Sequence, residues 1–181
     1  MSGMKTGLWV IVCGPSGVGK DSVLRHAGQL LQNHPRIVFA RRHVTRAGAD
    51  DAALTREELA ALLARNGAAW HWQAHGHDYV IGADYAHRVA QGDLVVVNGS
   101  REHAAGLRGR ADVRTVLITA PAETVNQRLI ARGRENAEAL ARRMERNAML
   151  GGAHAHHVIV NDGALETAGA ALAQCLRELA G

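Results

Sequence analysis

A glycine-rich stretch near the start of the chain most constrains the fold that this sequence can adopt. The stretch consists of Gly14, Pro15, Ser16, Gly17, Val18, Gly19, Lys20, Asp21 and Ser22. It follows an apolar run over 8–13, precedes a helical pattern, and has the spacing G-x-x-x-x-G-K. Glycines let the backbone curl around a phosphate chain, and the helix start adds partial positive charge. We therefore predict a nucleotide-phosphate site in which Lys20 reaches the outer phosphates.

Asp21 departs from the usual form of such a loop. The residue after the lysine is normally Ser or Thr, whose hydroxyl ligates Mg²⁺. A carboxylate is also a hard oxygen ligand for this ion. Many phosphate-loop enzymes add an acidic residue at the end of a later strand, where this chain has Asn98. We hypothesise that Asp21 takes part in the Mg²⁺ shell in place of both missing groups, with Ser22 as a second candidate ligand.

Apolar and amphipathic segments alternate along the whole chain. The pattern predicts strands over 8–13, 37–40, 69–74, 79–81, 94–97, 114–119 and 157–160. It predicts helices over 19–33, 55–66, 84–91, 101–107, 121–132, 135–150 and 165–179, the second with a Thr55–Glu58 capping box. Strands separated by helices imply an α/β fold of the P-loop NTPase type, a parallel sheet with helices on both faces.

The length of 181 residues suits one domain. We expect a core over about 7–41 and 94–181, with two excursions above the phosphate loop. One excursion spans about 42–93, where the acceptor would bind, and the other about 133–152, where a lid would lie.

Composition narrows the choice of partners. The net charge is +4, and all but two of the 21 basic residues are arginines. This excess fits a codon bias, and it also fits a phosphate-rich substrate, because guanidinium binds phosphate bidentately. With one Phe, two Tyr and three Trp, the chain has little from which to build a stacking platform for nucleic acid.

Features that the sequence lacks indicate the cellular compartment of the protein and argue against a histidine or cysteine metal site. No apolar run is long enough to span a membrane and no signal peptide is evident, so we predict a cytoplasmic protein. Cys13 and Cys175 are isolated, as expected of buried thiols in a reducing compartment. The histidines around 71–77 and 154–157 lack ligand spacing and are interpreted as loop or edge residues.

Two arginine clusters flank the predicted site. The first comprises Arg41, Arg42 and Arg46, just after the second strand. It is interpreted either as a second phosphate site, with the Tyr79 hydroxyl contributing, or as a solvated basic turn. The second comprises Arg128, Arg132, Arg134, Arg142, Arg143 and Arg146. It would cover a transferring phosphoryl group, or it would form a surface helix with Glu–Arg pairs.

Taken together, the motifs resemble the guanylate-kinase-like branch of phosphate-loop kinases over nearly the whole chain. They are G-P-S-G-V-G-K at 14–20, H-V-T-R at 43–46, H-G-x-x-Y at 75–79, R-L-x-x-R-G-x-E at 128–135 with Glu138 and Arg143, and V-I-V-N-D at 158–162. The sequence departs from guanylate kinases at the guanine-reading positions. Guanylate kinases have an acidic residue in each of the segments that correspond to 70–73 and 98–100, and this chain has none there. They also have a tyrosine that has no counterpart in 50–54.

The departures match a sister family, the ribose 1,5-bisphosphate phosphokinases. The resemblance lies in G-K-D-S at 19–22, W-Q-A-H-G at 72–76 and V-V-V-N-G-S-R at 95–101. It implies that ATP, with Mg²⁺, phosphorylates the 1-phosphate of a small phosphorylated sugar, ribose 1,5-bisphosphate. The product would be 5-phosphoribosyl 1-diphosphate, in phosphonate breakdown. Val80 stands where this pattern usually has a glycine after the tyrosine.

The resemblance also implies roles for individual residues. Lys20, Arg132 and Arg143 would be catalytic, with Arg128 as a lesser candidate. The acceptor phosphates would be bound by Arg42, Arg46 and Tyr79, the ribose hydroxyls by Asn98 and Ser100, and the adenine edge by Asn161. Two alternatives stay open at this point, a nucleoside monophosphate kinase and a non-catalytic guanylate-kinase-like interaction module. The sequence leaves the oligomeric state open.

Overall fold

The computed structural model describes residues 6–45, 51–74, 76–132, 138, 141, 142, 144, 145 and 155–181. The strands are β1 Leu8–Cys13, β2 Ile37–Phe39, β3 Arg42–Val44, β4 Ala52–Ala53, β5 Ala68–Ala74, β6 His77–Gly82, β7 Leu94–Asn98, β8 Val113–Thr119 and β9 His157–Val160. The helices are α1 Lys20–Leu30, α2 Arg56–Ala64, α3 Asp84–Ala90, α4 Arg101–Gly106, α5 Ala122–Arg132 and α6 Leu165–Ala180.

A five-stranded parallel sheet forms the centre of the fold, in the order β2-β7-β1-β8-β9. Val10, Ile11 and Val12 of β1 have no exposed surface, because the central strand is covered on both sides. The carboxyl ends of parallel strands meet at one edge of a sheet. The loop after β1 therefore lies beside the end of β7, where Val12 is paired with Asn98.

Helices cover both faces of this sheet, which confirms the predicted fold class. On one face, apolar residues of α1, α5 and α6 pack against Val10, Val12 and Val96. On the other face, Trp9, Ile11 and Val95 pack against α4, α3 and a second, smaller sheet. The alternation of side chains along β1 thus divides the interior into two apolar clusters.

The smaller sheet has the order β4-β3-β6-β5. Strand β6 pairs antiparallel with both β3 and β5, and β4 pairs parallel with β3. Its inner face, which packs on the core, carries Val44, Trp70, Trp72, Tyr79 and Ile81. All of its strands fall between residues 42 and 82, inside the segment for which the sequence predicts an acceptor-binding excursion; the domain boundaries themselves stay a prediction.

One local interpretation of the sequence was wrong. Residues 42–44 are a strand, not a basic turn, and they pair with Val80 and its neighbours in β6. A three-residue strand with arginine at its start is too short to show an alternating pattern, so its pairing comes from tertiary contacts. Val80 lies inside β6 and is buried, so the position where related sequences have glycine is not a turn here.

The predicted start of α2 is confirmed. The Thr55 hydroxyl accepts a hydrogen bond from the Glu58 backbone N–H, and the Glu58 carboxylate accepts one from the Thr55 N–H. Most of the predicted lid, 133–152, lies outside the described residues. Within the described part of the chain, no helix combines the length and the apolar character needed to cross a membrane.

Candidate active site

The phosphate loop has the backbone conformation that its glycines predict. Gly17 and Gly19 both adopt a φ of 88°, in the left-handed region that side chains disfavour. At Gly14 the restriction is space, because an added Cβ would lie 2.4 Å from the Ile118 carbonyl oxygen. Val18 between them is fully buried and donates its N–H to the Pro15 carbonyl at 3.3 Å. The loop is therefore shaped by backbone geometry and anchored by one apolar side chain.

Helix α1 begins directly after this loop and has no side-chain cap. Its N-cap residue is Gly19, which has no side chain to satisfy the first backbone N–H groups. Ser22 lies half-buried in the first turn. Open N–H groups and the positive end of the helix dipole favour an anion at this position.

Lys20, Asp21 and Asn98 are joined in one polar cluster. The Lys20 ammonium donates to the Asn98 side-chain oxygen, and the Asn98 amide donates to the Asp21 carboxylate at 3.0 Å. Lys20 also lies 3.3 Å from the Asp21 carboxylate. The carboxylate in the loop and the amide at the strand end thus occupy one site, as the hypothesis that Asp21 replaces a missing strand-end carboxylate requires.

The electrostatics of this cluster favour a bound polyanion. Burial lowers the pKa of Lys20, and the nearby Arg42 lowers it further against the opposing effect of Asp21. Burial works to raise the pKa of Asp21, but Lys20, the Asn98 amide and Arg42 together outweigh it and hold that pKa below its ordinary value. Lys20 therefore stays close to its ordinary partner groups at the cost of burial, and a phosphate bound at the loop would compensate its positive charge.

Arg42, the first residue of β3, contacts the backbone of Asn98. Its guanidinium donates to both oxygens of Asp51, at 2.8 and 3.0 Å, and to the Asn98 backbone carbonyl at 2.9 Å. It also lies 4.7 Å from the centre of the Tyr79 ring, in cation–π geometry. Asn98 therefore contacts Lys20 with its side chain and Arg42 with its backbone.

A cleft of about 200 Å³ opens beside this junction. Its polar lining is Asp21, Arg25, Arg42, Asp51 and Asn98, and its apolar lining is Leu24, Gly28, Phe39, Ala40 and Val96. The lining comes from α1, β2, β3, β7 and the segment before β4. Arg25 and Arg42 can bind an anionic group at the polar part of this cleft, and the remaining wall is apolar.

Two predicted acceptor residues do not line this cleft. Tyr79 is 5% exposed and lies beneath Arg42, in the apolar cluster of the second sheet. The Ser100 hydroxyl accepts a hydrogen bond from the His103 backbone N–H at 3.0 Å, as the N-cap of α4. Their roles as ligands stay predictions, whereas their structural contacts are with Arg42 and α4.

Arg128 and Asn161 support the phosphate loop from behind. Arg128 donates to the carbonyl oxygens of Val18 and Asn161, at 3.1 and 2.9 Å. The Asn161 amide donates to the Val18 carbonyl at 2.8 Å, and its side-chain oxygen is buried without a partner in the described structure. Gly19 passes so close that an added Cβ would lie 2.7 Å from the Asn161 amide nitrogen.

The remaining predicted residues lie at or beyond the limits of the described part of the chain. Arg46 and Arg143 lie outside the described residues, and of Arg132 only the helical backbone at the end of α5 is described. In the described part of the predicted lid, Arg142 lies 3.7 Å from Glu138, and both side chains are exposed. Such a pair matches the alternative of a surface helix and contributes little to stability.

Comparison with known proteins agrees with this geometry. Residues 10–150 match the AAA domain family. A ribose 1,5-bisphosphate phosphokinase from Thiobacillus denitrificans is 38% identical over 181 residues, covering 97% of this chain and 95% of that protein. A protein of the same name from Methylobacterium radiotolerans is 42% identical over 176 residues, covering 94% and 98%. The chain belongs to the ribose 1,5-bisphosphate phosphokinase family.

The fold of this family member also has a counterpart among solved structures. Guanylate kinase from Anaplasma phagocytophilum matches 97% of this chain and 87% of its own, with a TM-score of 0.67 and 19% identity. At that identity the likeness shows the fold alone. The curated relatives confirm the family resemblance predicted from the sequence and the class of the protein as a kinase, and the solved structure confirms the fold.

The residues of this phosphokinase family member fit a magnesium ion that is held jointly by the protein and by nucleotide phosphates. Among the described residues, no cluster of three or more His, Cys, Asp or Glu side chains is placed to hold a metal. Asp21 has an exposed carboxylate, one oxygen of which contacts Lys20 and Asn98, and the Ser22 hydroxyl lies in the same helical turn. Mg²⁺ typically takes one or two protein ligands and completes its shell with phosphates and water, as this arrangement allows.

Two residues of the cleft were missed from the sequence. Arg25 lies one helical turn after Asp21, and this spacing on α1 was the available signal. Asp51 gave no signal, because its partner Arg42 belongs to a strand that the pattern did not predict. Both residues add charge to the acceptor side of Asn98.

Proposed function

We propose that this protein transfers the γ-phosphoryl group of ATP to the 1-phosphate of ribose 1,5-bisphosphate, yielding 5-phosphoribosyl 1-diphosphate and ADP. The bond between the γ-phosphorus and its bridging oxygen breaks, and the electron pair leaves with ADP. A bond forms between the same phosphorus and an oxygen of the acceptor phosphate. The acceptor is already anionic, so the reaction needs no general base.

The observation that carries this proposal is the position of Asn98 between two cationic groups. Its side chain contacts Lys20 of the phosphate loop, and its backbone carbonyl contacts Arg42 in the cleft. Two anions bound at these groups would lie close together, because both groups contact the same residue. Such placement meets the main requirement of phosphoryl transfer, which is positioning with charge neutralisation.

The protein's contribution is divided between the two sides. On the nucleotide side, Lys20 and the N–H groups of the loop hold the β- and γ-phosphates, with Arg128 and Asn161 keeping the loop in shape. On the acceptor side, Arg42 and Arg25 bind phosphate, and Arg46 joins them by family resemblance. Arg132 and Arg143 would cover the moving phosphoryl group on the same ground. Mg²⁺, held through Asp21 or Ser22, supplies further charge neutralisation when bound.

The contacts of the polar groups near the cleft favour an acceptor without a nucleobase. The Asn98 amide is engaged by Lys20 and Asp21, and the Ser100 hydroxyl by the His103 N–H. Discrimination of a base depends on buried polar groups that pair with its edge. With these groups already paired, guanine would find few partners at this end of β7.

Measurement of ADP release tests the proposal. The protein is incubated with ATP and Mg²⁺ and with ribose 1,5-bisphosphate, GMP or no acceptor, and the product is identified by phosphorus NMR. We expect ADP release and a diphosphate product with the sugar bisphosphate only. Faster turnover with GMP would support a nucleoside monophosphate kinase instead. Absence of turnover with both acceptors, with ATP binding retained, would favour an interaction module.

A further inference from the structure

Four side chains form a continuous run of stacked contacts that ends at the cleft. The His103 ring lies 4.1 Å from the Trp72 ring, with an angle of 2° between their planes. Trp72 stacks on Tyr79 at 5.4 Å and 14°, and the Arg42 guanidinium lies 4.7 Å from the Tyr79 ring centre. We call this run the aromatic column. It connects helix α4, behind the second sheet, to the arginine of the acceptor side.

Each ring of the column is held by its own element. Trp72 and Tyr79 are directly opposed partners on the antiparallel strands β5 and β6. His103 is fixed on α4, whose first turn is capped by Ser100. The three rings are between 5% and 9% exposed. The column is therefore a buried stack with little room for any ring to rotate.

The contacts of His103 are with aromatic rings. Neither of its ring nitrogens has a hydrogen-bond partner within the described residues, and it also meets Trp70 edge-on at 5.9 Å. Burial lowers the pKa of His103 to about 4, so the ring is neutral near pH 7. A neutral, flat ring without hydrogen bonds stabilises the column mainly through the surface on which it stacks.

Arg42, at the other end of the column, is held in place by hydrogen bonds that use only some of its N–H donors. Three of its five N–H groups donate to Asp51 and to the Asn98 carbonyl. In the described structure this leaves one N–H group on each of the two terminal nitrogens, and Arg42 lines the cleft together with Asp21 and Asn98. Asp51 holds the guanidinium at its edge, and Tyr79 supports its face.

We infer that Trp72 is a positioning residue for the acceptor, because it holds Tyr79 in place and Tyr79 in turn holds the Arg42 guanidinium toward the cleft. The inference rests on the proposed function, since it assigns the cleft to the acceptor. A purely structural Trp72 would stabilise the second sheet without any specific link to Arg42. The two roles differ in one measurable property, the coupling between substitutions at Trp72 and Arg42.

The test is a double-mutant cycle on ligand binding. Ribose 5-phosphate, a phosphorylated sugar that tests the cleft without turnover, is titrated into protein whose phosphate loop is saturated with ADP and Mg²⁺. We expect Trp72→Leu to weaken binding about tenfold, the size of a lost cation–π support. The Trp72→Leu/Arg42→Ala double variant should bind no more weakly than Arg42→Ala alone. Trp72→Phe, which keeps a ring in the stack, should recover most of the affinity.

Trp70→Leu is the matched control. Trp70 is two residues away on the same strand, faces the same cluster, and meets Trp9 and His103 only edge-on. Trp70→Leu removes the same kind of ring from a half-buried position at the edge of the cluster, where Arg110 lies 5.1 Å from the ring centre, and should leave ribose 5-phosphate binding unchanged. Should Trp72→Leu not fold, Trp72→Met takes its place, because its flexible thioether fills gaps without stacking.

The outcomes separate this inference from the proposed function. Additive effects of the Trp72 and Arg42 substitutions, an equal loss in Trp70→Leu, or wild-type affinity in Trp72→Leu would each overturn the positioning role. So would a wild-type protein that does not bind ribose 5-phosphate. Absence of ADP release from ATP and ribose 1,5-bisphosphate would refute the proposed function alone, because the binding cycle does not depend on turnover.

Discussion

The nucleotide side and the acceptor side of this site are built in different ways. The nucleotide side is one consecutive segment, residues 14–22, shaped by backbone conformation at glycine positions. The acceptor side is assembled from five separate elements and depends on side chains such as Arg42 and Asp51. The first construction recognises phosphate, which every nucleotide shares. The second can be changed one side chain at a time, so a kinase fold can change its acceptor while it keeps its donor.

Lys20→Ala tests the nucleotide side and should have the largest effect. Loss of a preorganised charge at the transferring group should lower kcat about 10³-fold. Because burial lowers the pKa of Lys20, its removal should leave the melting temperature unchanged or raised. Steady-state ADP release and a thermal melt measure both effects. A variant with near wild-type kcat would contradict the assignment of the loop as the phosphate donor site.

His103 tests the acceptor side through stability. Its pKa is about 4 when folded and near 6.5 when unfolded, so between these values the unfolded chain binds one proton more. The free energy of unfolding should therefore fall by about 3 kcal/mol as the pH drops from 7 to 4. His103→Leu should lose this part of the pH dependence. Urea unfolding at several pH values measures the free energy of unfolding of both proteins. If this free energy changed with pH equally in the wild type and in His103→Leu, His103 would not contribute.

The difference between a consecutive segment and a site assembled from separate elements also explains how much of the molecule could be predicted from sequence. Local signals were sufficient for β1, for the phosphate loop and for the Thr55–Glu58 cap, because their partners lie within a few residues. The β3 strand is too short for a pattern. Its neighbours across the sheet are fixed by packing of the second sheet on Trp9 and Ile11.

The aromatic column shows the same limit. Trp72 and His103 stack face to face although 31 positions separate them, and neither carries a local signal for the contact. Asn98 was singled out from its place at a strand end, which is a topological argument that a parallel sheet makes possible. Its contacts with Lys20 and Asp21 follow from that place. Sequence thus predicted positions better than the side-chain partners that give them a role.

Arg42→Ala sharpens the comparison by separating the two substrates. Loss of charge-assisted hydrogen bonds should raise KM for ribose 1,5-bisphosphate about 10- to 100-fold. KM for ATP should be unchanged, because the phosphate loop retains all of its own contacts. The matched control is Arg41→Ala, a neighbouring arginine with an exposed side chain that does not line the cleft. An equal rise in both KM values would mean that Arg42 supports the whole site and not the acceptor side alone.

Asp21 and Asn98 test the boundary between the two sides, with the smallest expected effect. Asp21→Ala should raise the Mg²⁺ concentration for half-maximal rate about tenfold, as expected for a group that holds or orients a metal shell.

The charge-swapped variant Asp21→Ser/Asn98→Asp provides the decisive control for this effect. It places a hydroxyl in the loop and a carboxylate at the strand end, the usual arrangement, and should restore the wild-type Mg²⁺ requirement. Asn98→Asp alone, with Asp21 still in place, should weaken ATP binding instead, because two adjacent carboxylates would repel the incoming triphosphate. An unchanged Mg²⁺ requirement in Asp21→Ala would show that the carboxylate serves only to balance Lys20. The two sides would then be joined by charge compensation rather than by a metal.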